Sequence, residues 1–169
     1  MLAPKRAEYA VLANEYNEWC RDPDLWHEDD RKVYNEIRVD LPRTMMPGLS
    51  DFCGSKELQD MLGRIIFKWS ERTPRISYFQ GLVDLLDMFV FCFLAEEPGI
   101  NGDFSKLART NFSYFHDDFL AKVEADSFWC ITRLLEIMEV CLSLYCVCLS
   151  MILFSLVVVV SLFPDFLYS

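Results

Sequence analysis

Apolar side chains recur at three- and four-residue steps along much of the chain, with polar and charged residues between them. Across residues 5–20, Tyr9, Leu12, Tyr16 and Trp19 fall on one side and charges and amides on the other, the pattern of an amphipathic helix. Asp22-Pro23-Asp24 interrupts it. A shorter helix is predicted over about 28–38, presenting Val33, Tyr34 and Ile37. Leu41-Pro42 should end that helix, because proline disfavours the helical region for the residue before it. Residues 40–44 are therefore expected as loop, and 44–54, with a proline, two glycines and no period, as a connection.

Ser55 stands where an N-cap would open a helix over about 56–70, with Leu58, Leu62, Ile65, Ile66 and Trp69 facing inward. After a break at Thr73-Pro74, the run from Ile76 to Leu94 is apolar almost all round, which predicts a central buried helix. The stretch 96–105 is rich in turn residues. Phe112, Phe115 and Phe119 predict a helix over about 112–121, and Phe128, Ile131, Leu135 and Met138 another over 125–138. No strand alternation of useful length precedes the C-terminal segment, so the expectation is all-α, without repeats or a coiled coil.

Charge changes the picture at the C-terminal end. The 169 residues include 16 Lys+Arg and 26 Asp+Glu, a formal net charge of -10. No Lys or Arg follows Arg133, and Asp165 is the one acid after Glu139. Residues 140–163 carry no charge and are long enough to raise a membrane span, which needs about 20 apolar residues. Three readings of that segment stand open. It is a membrane anchor, although Glu136 and Glu139 flank it where a basic cluster is expected; or a substitute helix or β-prone segment packed on the fold; or a non-native tail. The division is thus a folded segment over 5–139, an apolar segment over 140–163, and a tip over 164–169.

That length suits one ordinary domain. The surplus of acids argues against a nucleic-acid partner, whose phosphates demand positive charge. Seven cysteines form no CxxC pair, and with only two histidines no zinc set is apparent, so free thiols in a reducing compartment are expected. The first residues lack the apolar core of a signal peptide, which points to the cytoplasm or the cytoplasmic face of an endomembrane.

Two residues stand out for chemistry. Arg43, on a proline-stiffened loop past a helix end, can carry a guanidinium to a partner's phosphate, or serve as an ordinary surface or capping arginine. Gln80, opening the most apolar stretch, can orient a water or bond a helix terminus. Asp84 and Asp87 are three apart, but spacing alone makes no metal or glycosidase site. GxGxxG, GxxxxGK and GxSxG runs are missing, so a self-contained nucleotide-binding enzyme is unsupported.

Taken together, the two sites resemble a known pair of motifs. Ile37-Arg38-Val39-Asp40-Leu41-Pro42-Arg43 is similar to the IxxDxxR signature of the TBC-domain family, the GTPase-activating proteins for Rab GTPases, and Tyr78-Phe79-Gln80-Gly81 to its YxQG signature. Glu8-Tyr9, Trp26-His27-Glu28-Asp29 and the stretch from Glu124 to Cys130 resemble the subgroup of TBC1 domain family member 22. The resemblance covers about residues 5–139 and implies the N-terminal part of a two-lobed helical domain. It further implies Arg43 as an arginine finger and Gln80 as a glutamine finger acting in trans on a Rab-family small GTPase. Ile37, Asp40, Tyr78, Gly81 and Asp84 would be supporting residues. No cofactor of the chain's own is implied, since GTP and magnesium would be bound by the partner. Two departures accompany the match: Val83 replaces the asparagine of QGxND, and Arg75 stands where related sequences often have small residues.

Overall fold

A computed structural model describes residues 2–22, 26–43 and 49–162, with only the backbone described at 50, 51 and 140–162. The elements are α1 (Leu2–Arg21), α2 (Glu28–Asp40), a 3-10 turn at Leu41–Arg43, α3 (Ser50–Cys53), α4 (Lys56–Arg72), α5 (Leu82–Ala95), α6 (Phe104–Leu107), a 3-10 turn at Phe112–Tyr114, and α7 (Asp117–Leu162). Among the described residues there is no strand, as the sequence pattern requires of an all-α fold. Residues 1–132 form one compact unit and 133–169 a second. In the second, the described part continues α7, with Arg133 Nη1 3.1 Å from Glu136 Oε2 one turn on.

α4 is the centre of the first unit. Leu58, Ile65, Ile66 and Trp69 are buried along it, at the inward positions its periodicity assigns, and α1, α2 and α5 pack around it. α2 makes its close approach over Gly63. A Cβ there would lie 3.3 Å from Leu41 Cδ1 and 4.0 Å from Ile37 Cγ2, so the missing side chain lets both apolar groups seat on α4. Full burial of a residue such as Ile37 stabilises by about 2 kcal/mol. The start of α2 is held by aromatic packing: the Trp26 ring stacks on Trp19 at 3.9 Å, and its Nε1 donates to the Trp19 carbonyl at 2.8 Å.

A buried polar cluster ties α1, α4 and α7. Glu124 is 7% exposed; its Oε1 accepts Tyr9 OH at 2.7 Å and Arg64 Nε, and its Oε2 accepts Arg64 Nη2 at 2.8 Å. The hydrogen bond to Glu124 holds the Arg64 guanidinium in its charged form above its ordinary range, and burial raises the Tyr9 phenol. Cys20, Cys92 and Cys130 are free thiols.

Several expectations change in detail. The helix expected from Ile76 begins only at Leu82, because residues 73–81 are a series of turns. Ser77 adopts φ 55° and Gly81 φ 93°, both left-handed, which a helix cannot pass through. Asp40 belongs to α2 rather than to a loop, and Leu41–Arg43 continue it as a 3-10 turn; Thr44 lies outside the described residues. One helical turn, α3, replaces part of the loop expected over 44–54, where 44–48 are outside the description. Ser55 has the extended backbone of an N-cap but makes no capping bond through its side chain. The two helices expected over 112–121 and 125–138 are a 3-10 turn followed by one helix from Asp117, since nothing between Asp117 and Met138 breaks the chain.

The backbone of 140–162 is helical, so the β-prone reading of that stretch does not hold. Among the described residues no helix is long and apolar enough to cross a membrane. The anchor reading of 140–163 depends on side chains outside the described residues, and the tip at 164–169 is outside them entirely.

Candidate functional site

The C-terminal end of α2 and the turns before α5 meet at one hydrogen bond. Tyr78 OH donates to Asp40 Oδ2 at 2.7 Å, joining residues 38 apart in sequence. Each partner is held by its own element. Ile37, 1% exposed, locks the last turn of α2 against α4, which fixes the direction of Asp40 and of the 3-10 turn after it. Phe79 lays its ring edge-on to the buried Trp69 at 6.5 Å, pinning the 73–81 turns to α4. Burial first, and then the bond to Asp40, push the Tyr78 phenol up, so it remains a donor across the neutral range.

Arg43 ends the 3-10 turn with its side chain 71% exposed and Nη1 3.9 Å from Asp40 Oδ1. That separation is an ion pair and too long for a hydrogen bond. The Asp40 carboxylate thus biases the guanidinium without immobilising it, and its short bond goes to Tyr78 rather than to Arg43. Gln80 is exposed on the next turn. Gly81 follows at φ 93°, a conformation that costs a side-chain-bearing residue about 1–2 kcal/mol, and leads into α5. Exposed Asp84 lies in the first turn of α5, where a carboxylate suits the helix dipole, with Oδ2 4.0 Å from where a Gly81 Cβ would sit.

A groove of about 410 Å³ runs between the two elements, lined by Asn35, Glu36, Val39, Asp40, Phe79 and Gln80 together with Tyr78. The structure thus gathers Asp40, Tyr78 and Gln80 on one groove, with Arg43 joined to it through Asp40. Ile37 and Gly81 act beneath, on backbone position. Glu36 and Phe79 were not singled out by their sequence pattern. Glu36 stands one helical turn before Asp40, and that spacing is the signal that would have found it. Val83 is 1% exposed, so the position where QGxND has asparagine is filled by an apolar side chain in the core. Arg75 stands exposed in the turns before Tyr78.

The family model for the Rab-GTPase-TBC domain matches residues 4–155. The chain belongs to the Rab-GTPase-TBC domain family. The match passes Glu139, where the motif resemblance stops, and takes in the first part of the apolar segment. This Rab-GTPase-TBC chain is 34% identical to TBC1 domain family member 22B of Homo sapiens over 135 residues, covering 80% of this chain and 24% of that protein. It is 36% identical over 113 residues to GTPase-activating protein GYP1 of Saccharomyces cerevisiae, covering 65% of this chain and 17% of that protein. The crystal structure of the Ypt/Rab-GAP domain of Gyp1p superposes with a TM-score of 0.68 at 31% identity, over 82% of this chain and 40% of that one. The chain therefore spans about a quarter or less of these curated relatives and under half of the solved domain.

Two expectations follow from the geometry. Tyr78→Phe removes a hydrogen bond to a carboxylate and should lower stability by about 1.5–3 kcal/mol, read as a shift in denaturant midpoint. Asp87, one turn beyond Asp84, is 3% exposed with Oδ1 unpartnered, and burial, helped by the Asp84 charge, pushes its carboxyl up to about 7. The ordinary value of such a carboxyl is 3.8, so folding takes up a proton between that pH and about 7. The contribution of Asp87 is fully present below the unfolded value and is lost as pH rises through 7. Asp87→Asn should therefore raise stability at pH 8 by roughly 2–4 kcal/mol and flatten the decline from pH 5 to 8 in thermal melts.

Proposed function

We propose that this chain accelerates GTP hydrolysis on a Rab-family small GTPase by inserting Arg43 and Gln80 in trans. The observation that carries the reading is the Asp40–Tyr78 bond, which couples the two segments bearing Arg43 and Gln80 across one open groove. Phosphoryl transfer spreads negative charge over the transferred group, and an inserted guanidinium offsets it. An exposed arginine on a turn anchored by Ile37 and Leu41 is suited to that insertion. Gln80 would orient the attacking water, a positioning role that needs no shifted pKa.

GTP and magnesium belong to the partner in this scheme, and the chain brings no cofactor of its own. A Rab-family partner would put the chain in the cytoplasm or at the cytoplasmic face of an endomembrane, with 140–163 as the segment available for membrane contact. The alternative, a truncated, catalytically inactive GTPase-binding or membrane-associated chain, draws on Val83 and on a match that covers 40% of the solved domain. That side chain is accommodated in the core of α5, so this departure gives the alternative no support.

The test is single-turnover GTP hydrolysis by a panel of Rab GTPases with the full chain added. At least one member should be accelerated by wild type, and Gln80→Ala should lose about 10²-fold of that rate. No acceleration of any member by folded chain would overturn the reading.

A further inference from the structure

Gln80 stands at the corner of a tight turn. Leu82 N–H donates to the Phe79 carbonyl at 3.2 Å, which closes a four-residue turn over Phe79-Gln80-Gly81-Leu82. Gly81, its third residue, has φ 93° and ψ -7°, and Gln80, its second, is not among the residues with positive φ. Those angles make it a type II turn, because the other turn with a left-handed third residue, type I′, needs positive φ at the second as well. The direction in which Gln80 leaves the backbone is therefore set by the turn, and the turn by whatever holds its two ends. At one end Leu82, 1% exposed, enters the core as α5 begins. At the other, the Phe79 ring lies edge-on to Trp69 at 6.5 Å and 81°, and Trp69 is buried on α4. Phe79 is 37% exposed, so one side of the ring is seated on α4 and the other lines the groove. The Asp40 bond of Tyr78 holds the residue just outside the turn, whereas Phe79 is the first residue within it.

We infer that Phe79 is a positioning residue for Gln80: its ring, seated on Trp69, fixes the first corner of the type II turn and so aims the glutamine amide at the attacking water. The inference rests on the function proposed above. A group that orients water acts through its placement, and a displacement of about 1 Å can cost up to roughly 10² in rate. An edge-to-face aromatic pair is directional, so the Trp69 contact fixes orientation as well as depth. Without the ring, the Leu82–Phe79 hydrogen bond can still close the turn, but the turn is free to tilt on α4 and carries Gln80 with it.

The experiment is single-turnover GTP hydrolysis by a panel of Rab GTPases, with the full chain titrated to saturation. The cycle comprises wild type, Phe79→Ala, Gln80→Ala and the double variant, each rate expressed per folded molecule from thermal melts. Phe79→Ala should lower the saturating rate about tenfold and leave the half-saturating concentration within about threefold of wild type. In the Gln80→Ala background the same change should cost less than about twofold, since no amide is left to aim. A loss of structure alone would not depend on Gln80. Phe79→Tyr keeps the ring and should restore nearly the full rate. Phe79→Leu keeps apolar bulk without the edge-to-face pair and should fall between, and it takes the place of Phe79→Ala in the cycle if that variant does not fold. An unchanged saturating rate, or equal losses in the two backgrounds, would overturn the assignment while wild-type acceleration upholds the function above. A change confined to the half-saturating concentration would make Phe79 a docking contact and would also overturn it. No acceleration of any Rab by folded wild type would overturn both.

Discussion

Arg43→Ala is expected to remove nearly all of the rate enhancement and leave the melting temperature essentially unchanged. The side chain is 71% exposed, and its Asp40 contact at 3.9 Å is a surface ion pair. Exposed pairs of this kind contribute about 0–1 kcal/mol to stability. Under the proposed function its value lies in the complex, where an arginine supplied in trans is worth roughly 10³–10⁵ in rate, or about 4–7 kcal/mol of barrier. Single-turnover hydrolysis at saturating chain separates the loss in rate from any loss in binding. Arg43→Lys should rescue little, because an ammonium is a point charge without the planar fork that spans two phosphate oxygens. An Arg43→Ala protein that kept its activity would assign the chemistry elsewhere.

The second large effect concerns stability alone. Glu124→Ala should cost about 3–5 kcal/mol, because it strands the Arg64 guanidinium and the Tyr9 hydroxyl inside the first unit. In a chain of this size such a loss lowers the melting temperature by roughly 10 °C. Glu124→Gln keeps an acceptor and should fall between the two. The measurement is a denaturant or thermal melt, paired with hydrolysis per folded molecule, which should not change. A near-normal melt for Glu124→Ala would mean that the cluster contributes little.

The helices most legible in the sequence are those with a one-sided apolar stripe. Tyr9 in α1, Ile37 in α2, and Leu58, Ile65 and Trp69 in α4 all lie buried at the inward positions their spacing predicts. The stretch 76–80 was misread because Ile76 and Phe79 continue an apolar run, and periodicity cannot register the positive φ of Ser77 and Gly81. Sequence spacing likewise hides pairings across distance. Arg64 and Glu124 are 60 residues apart, and Asp40 and Tyr78 are 38 apart, yet each pair closes a hydrogen bond that positions an element. Arg43 and Gln80 were legible only through paired motifs, since each alone reads equally well as an ordinary surface residue. Glu36 was legible only as a residue one helical turn before Asp40, and its place on the groove depends on the turns that bring Tyr78 and Gln80 beside α2.

The central claim is that Arg43 acts on the transition state of GTP hydrolysis in a partner. It is tested most directly by complex formation with a Rab GTPase holding GDP and aluminium fluoride, a mimic of the phosphoryl-transfer transition state. Wild type should bind this form at least about 10²-fold more tightly than the GDP form, and Arg43→Ala should lose that preference. Equal binding of Arg43→Ala and wild type to the aluminium fluoride complex would contradict the account.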